Sequence, residues 1–145
     1  MSKTTFEDFL NQYGILTYRN TGISMLPMLK QGRDSFTVTK KTKRRCQQYD
    51  VVLYRRPPDD YVLHRIIQVR KDDYVLLGDN CINKEYGIKD SDIIGVLTSF
   101  THNGTEYDVT NSRYQIYVKF WCRTASFRIF VKKLKHRIRR MLYET

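Results

Sequence analysis

Three short stretches of this chain carry residues that can do nucleophilic and acid–base chemistry. Ser24 lies in TGISMLPML, an apolar run from Thr21 to Leu29. A serine hydroxyl is a poor nucleophile at neutral pH and needs a base within hydrogen-bond reach. His64, in YVLHRII, is suited to take that proton and return it to a leaving amine. Asp79, in the Gly78-Asp79-Asn80 that follows YVLL, can orient an imidazole and stabilise its charged form. Each residue also has an ordinary reading. Ser24 can cap a turn, His64 can be a satisfied structural histidine, and Gly-Asp-Asn is common turn composition.

The surroundings of Ser24 add detail. Gly22 lets the backbone turn tightly, and Pro27 stops a helix from running through the segment. Together they predict Ser24 at a strand end, facing outward, with Met25, Leu26, Met28 and Leu29 as apolar anchors. The same apolar run can serve as an edge to which an extended peptide adds as a strand.

The elements that must position these residues are read from periodicity and turn signals. Thr4-x-x-Glu7 has the form of a capping box for a short helix that carries Phe6, Phe9, Leu10 and Tyr13 and ends at Gly14. From Ile15 to about Thr110 the chain reads as β-rich. Strands are expected at 35–39, 49–56, 61–70, 74–79, 92–101 and 105–110. Asn103-Gly104 joins the last two as a tight hairpin. From about Arg113 to Tyr143 the tail reads as helix, with a break near Thr124-Ala125-Ser126. Its apolar stripe is Ile116, Phe120, Phe127, Val131, Leu134, Ile138 and Met141.

Taken in order, "TGISMLPML…GRD", "YDVVLYRRP", "YVLHRI", "LLGDN" and "DIIGVL" resemble the type I signal peptidase superfamily, which includes the self-cleaving repressors. The resemblance spans about residues 20–98. It implies a serine endopeptidase on a compact, strongly bent, barrel-like β-sheet. Ser24 matches the nucleophile and His64 the general base, as in the histidine-type branch. Asp79 matches the aspartate of the Gly-Asp-Asn motif. Glu85 matches, loosely, the position of a third member, and the two acids stand as near-equal candidates to orient His64. The oxyanion hole and substrate-binding segment fall on Gly22, Ile23, Met25 and Pro27, with the Ser24 N–H as a donor. Many signal peptidases carry a serine donor where this chain has Gly22. The small-residue preference of such enzymes at the cleavage site is implied by the family alone. The reading requires no metal and no cofactor.

Composition bounds the rest. The 145 residues include 26 Lys+Arg against 15 Asp+Glu, a net charge of +11. Residues 109–145 hold ten of those bases and one acid, Glu144, so the charge belongs to the tail. The fold class expected is mainly β with flanking helices. Residues 1–110 are expected to form a β-rich catalytic domain, and 111–145 a basic amphipathic extension. That extension has three readings: packing of its stripe on the β body, attachment of residues 113–143 to an anionic membrane surface, or, less favoured, nucleic-acid binding. The basic run at 40–46 reads as a solvated loop. Three cysteines without ligand spacing argue for free thiols. No signal peptide or membrane-spanning stretch is visible. The expectation is a cytoplasmic protein, peripheral on the inner membrane face where the tail attaches. The competing function is a non-catalytic module that binds a peptide, a membrane or nucleic acid on the same fold.

Overall fold

The computed structural model describes residues 5–58 and 60–144. The chain opens with helix α1 (Phe6–Tyr13) and then runs through eight strands. These are β1 (Ile15–Arg19), β2 (Ser35–Lys40), β3 (Val51–Arg56), β4 (Asp60–Val69), β5 (Tyr74–Leu77), β6 (Glu85–Ile88), β7 (Ile93–His102) and β8 (Thr105–Asp108). Helices α2 (Ser112–Arg123) and α3 (Ala125–Tyr143) complete it. The protein is mainly β with flanking helices, and the tail breaks at Thr124. Thr4 of the expected capping box lies outside the described residues. The box observed is one position on: the Thr5 hydroxyl accepts from the Asp8 N–H, and the Asp8 carboxylate accepts from the Thr5 N–H. Glu7 instead pairs with Arg55.

The strands form one antiparallel sheet in the order β1-β2-β7-β3-β4-β5-β6, with β8 on the far part of β7. Asn103 and Gly104 both have positive φ, as a two-residue hairpin turn between right-twisted strands requires. The register shifts where β2 meets β7, β3 meets β7, β4 meets β5 and β5 meets β6. Such bulges bend strands and raise local twist.

Strand β3 lies mid-sheet and is buried on both sides. Alternation sends Val51 and Leu53 into a large core with Leu10, Met25, Met28, Leu29, Val38 and Phe100. Val52 and Tyr54 face a second cluster with Ile66, Tyr74 and Leu76. Met25, Met28 and Leu29 therefore anchor the Ser24 segment from beneath, each side chain contributing roughly 1.5–3 kcal/mol on full burial. The segment itself is a turn, so the expectation that it forms a substrate-facing strand edge does not hold. Its backbone is folded back on itself, with the Leu29 N–H bonded to the Met25 carbonyl.

The two C-terminal helices behave differently. Helix α2 buries Tyr114 and Val118 in the large core. Helix α3 buries none of its residues. The expected apolar stripe faces solvent: Ile116 and Phe127 are 68% and 70% exposed, and Leu134, Ile138 and Met141 are exposed with them. Packing of that stripe on the β body is thus overturned. The contacting side of α2 is made by Tyr114, Tyr117, Val118 and Trp121, whose aromatic rings carry polar tips that find partners inside. Among the described residues, no helix is long and apolar enough to cross a membrane.

Candidate active site

The turn after β1 brings Ser24 to a cleft of about 670 Å³ that His64, Cys81, Asn80 and Glu85 also line. Gly78 sets how closely the parts approach. A Cβ there would lie 2.8 Å from the Ser24 carbonyl oxygen, 3.0 Å from His64 Cδ2 and 2.6 Å from Cys81 Sγ. Only a residue without a side chain leaves room for the Ser24 backbone and the imidazole on either side of it. Asn80 fastens the serine turn from the other direction. Its N–H donates to the Ser24 carbonyl at 2.9 Å, and its Nδ2 donates to the Ile23 carbonyl at 3.1 Å.

His64 projects from mid β4 and is buried to 6% exposure. Its Nδ1 lies 3.1 Å from the Tyr54 hydroxyl and 3.7 Å from Glu85 Oε1. With the ring proton on Nδ1, donated to the Tyr54 hydroxyl, the Nε2 lone pair is left for the cleft. Nε2 lies 3.9 Å from Cys81 Sγ. Among the described residues, the Ser24 hydroxyl makes no hydrogen bond to the ring. Burial, with Arg56 second, pulls the imidazole pKa down to about 4. The Asp79 charge opposes that pull only in part, and Glu85 is ion-paired to Arg56. At neutral pH the ring is therefore uncharged and able to accept a proton.

The two candidate acids separate here. Asp79 does not orient His64. Both of its oxygens are taken by Arg65, Nε to Oδ1 at 2.8 Å and Nη2 to Oδ2 at 2.9 Å, and the Tyr117 hydroxyl donates to Oδ2 at 2.8 Å. The Trp121 indole N–H donates to the Asp79 carbonyl at 2.8 Å. Asp79 is a buried structural hub that joins β4, the Gly-Asp-Asn turn and α2. Among the described residues, Glu85 is the carboxylate beside the ring, at the start of β6.

The segment assigned to the oxyanion hole and substrate also divides. Gly22 holds a left-handed φ of 79° on the surface, where the turn requires it. Ile23 is 64% exposed and free to meet a ligand. Met25 is buried in the core and its sulfur accepts from the Asp79 N–H, so its side chain anchors the turn and does not face a substrate. Pro27 is exposed and borders a separate apolar hollow with Phe100, Tyr107 and Tyr114. Among the described residues, the Ser24 N–H meets no acceptor, the state required of an oxyanion donor.

Residues not anticipated complete the site. Tyr54 holds the imidazole, Cys81 faces it, and Arg56 neutralises Glu85. Burial pushes the Cys81 thiol above its ordinary pKa, away from the reactive thiolate. All three cysteines are free. From α3 come Lys132, Lys135, His136 and Arg139, which line the far wall of the cleft. Lys132 Nζ donates to the Asn80 carbonyl at 2.8 Å and to Asn80 Oδ1 at 2.6 Å. Among the described residues, no group of three or more His, Cys, Asp or Glu is arranged to hold a metal ion. Comparison with protein-family models, with curated proteins and with solved structures finds no match to this chain.

Proposed function

We propose that the protein is a serine endopeptidase resembling the type I signal peptidases in its histidine-type form, acting on an extended peptide of leader or signal-like character. The observation that carries this reading is the convergence of Ser24 and a neutral, clamped His64 on one cleft, with Gly78 leaving room for both and the Cys81 thiol 3.9 Å from the Ser24 carbonyl and from Nε2. Ser24 Oγ attacks the peptide carbonyl carbon as its proton passes to His64 Nε2. The Ser24 N–H meets the oxyanion. The proton then goes to the leaving amine, and water hydrolyses the acyl-enzyme with His64 again as base. Glu85 stabilises the transient imidazolium from the Nδ1 side. The Ser24 hydroxyl is not bonded to the ring at rest, and the step asks that substrate binding bring the two into contact, since catalytic contacts are often loose before substrate binds.

The test is labelling with a serine-reactive fluorophosphonate. Wild type labels, Cys81→Ser labels, and Ser24→Ala and His64→Ala do not. Label that survives Ser24→Ala overturns the nucleophile, and absence of label and of peptide cleavage in the wild type favours the non-catalytic binding module.

The place of action rests on α3. Phe127, Phe130, Leu134, Ile138 and Met141 share one exposed face, Arg137 and Lys133 flank it, and the helix contains seven Lys/Arg and no acid. That pattern fits an anionic bilayer surface, with the apolar face in the acyl boundary and the flanking cations at the headgroups. Vesicles of phosphatidylglycerol and phosphatidylcholine bind the wild type. Phe127→Ser with Leu134→Ser releases it, while thermal stability moves by less than about 0.5 kcal/mol because the residues are already exposed. Binding unchanged by the double substitution removes the membrane from the reading.

A further inference from the structure

Helix α3 is mounted inside out for a surface helix. Its apolar face is turned to solvent, and its basic face is turned to the catalytic cleft. Lys132, Lys135, His136 and Arg139 recur at three- and four-residue steps, so they form one row along the helix. Lys132 is tied to Asn80, and Asn80 holds the backbone of Ile23 and Ser24. The row therefore begins one residue away from the proposed nucleophile. From Lys132 to Arg139 it rises about 10 Å, the length of about three residues of extended peptide.

Charge in the cleft is one-sided. Arg56, Lys132, Lys135 and Arg139 line it against a single acid, Glu85. Glu85 is already engaged by Arg56. Among the described residues, Lys132, Lys135 and Arg139 have no carboxylate partner, and α3 contains no acid to supply one. A concave surface lined by one sign of charge focuses its field on a ligand of the opposite sign.

We propose that this row is a substrate-selecting wall, and that the cleft takes peptides with acidic side chains in the two or three positions on one side of the scissile bond. This rests on the peptidase reading. The neutral residues at the scissile bond lie at Ser24, while aspartates and glutamates beyond them run along Lys132, Lys135 and Arg139. These are exposed ion pairs, so each contributes a factor of roughly 1.5 to 5, and salt weakens them.

The experiment uses fluorescein-labelled twelve-residue peptides with a central Ala-Ala, flanked on either side by Glu-Asp-Glu or by Gln-Asn-Gln. Binding is read by anisotropy on Ser24→Ala protein, and cleavage is read on otherwise wild-type protein. The acidic peptides bind roughly tenfold more tightly on one flank than their amide counterparts, with the preference shrinking between 50 and 300 mM salt. Lys135→Glu with Arg139→Glu reverses the order. Equal binding of acidic and amide peptides overturns the proposal, as does a preference that survives the charge reversal. Equal or tighter binding of a single-stranded DNA dodecamer overturns it in favour of a general polyanion surface. An acidic preference in binding, with no cleavage of any peptide, leaves the wall standing and fails the peptidase reading. Cleavage without acidic preference does the reverse.

Discussion

Asp79 and Glu85 lie six residues apart, both near the imidazole, and the chain uses them in opposite ways. Asp79 sits at a dry junction. Arg65 grips it in a two-pronged ion pair, and Tyr117 fills the remaining direction. Every lone pair that counts is used within the fold. Glu85 sits at the mouth of the cleft, half covered, sharing Arg56 with solvent and standing 3.7 Å from His64 Nδ1. A fully engaged carboxylate holds elements together and has nothing left to give to a reaction. A partly engaged one can respond to a charge that appears during the reaction. What distinguishes a structural acid from one left available to the cleft here is the number of partners already bound, not its proximity to the histidine.

The largest effect is expected on removing the charge of Asp79. Asp79→Asn leaves Arg65 buried without its counter-charge and should cost about 3–5 kcal/mol of stability, measured by urea denaturation. A loss below about 1 kcal/mol would mean that Asp79 is not the hub described. Next in size is the pH dependence of His64. Its pKa is about 4 in the folded chain, against the ordinary 6.5 when unfolded. Between those values the unfolded chain binds the extra proton, so stability rises with pH through that window. The contribution is fully present above about pH 6.5 and lost below about pH 4, and amounts to something on the order of 3 kcal/mol. His64→Gln should flatten the urea midpoint over that window by one proton's worth of slope. An unchanged slope would place the titration elsewhere. Smallest is Glu85→Gln. It should lower kcat/KM by roughly 10- to 100-fold, part of the general-base contribution, with unfolding free energy changed by less than about 1 kcal/mol. If Glu85→Gln unfolds the protein while Asp79→Asn only slows it, the two roles are the wrong way round.

Much of the frame was legible in the residues. The Asn103-Gly104 hairpin, the long strands and the break in the tail follow from turn chemistry and period. Tyr54 was also within reach. Val52 pairs with His64 across β3 and β4, and alternation sets Tyr54 on the same face, one diagonal step away. The turn signal at 57–58 bounds the strand, but strand boundaries alone do not reveal the register. The roles of Asp79 and Glu85 were not legible, because both depend on which arginine each meets, and Arg65 and Arg56 come from different strands. Strand β6 escaped because EYGI is short and carries a glycine. Which side of the tail packs was not legible, for a physical reason. Periodicity identifies an apolar face but not what covers it, and in α2 the buried side is made of tyrosines and a tryptophan.

That tryptophan has a practical consequence. Trp121 is the chain's single indole. It stacks on Tyr117, lies under the Arg128 guanidinium at 3.5 Å, and is tied through its N–H to the Asp79 carbonyl. Its emission is a built-in optical gauge of one spot, the turn that carries Gly78, Asp79 and Asn80. Red-shifted, unquenched fluorescence would announce that this turn has come away from α2, and polarisation of the same signal would follow α3 through Arg128. Without any added dye, a spectrometer can watch the Gly-Asp-Asn turn and the basic helix respond to a ligand at once.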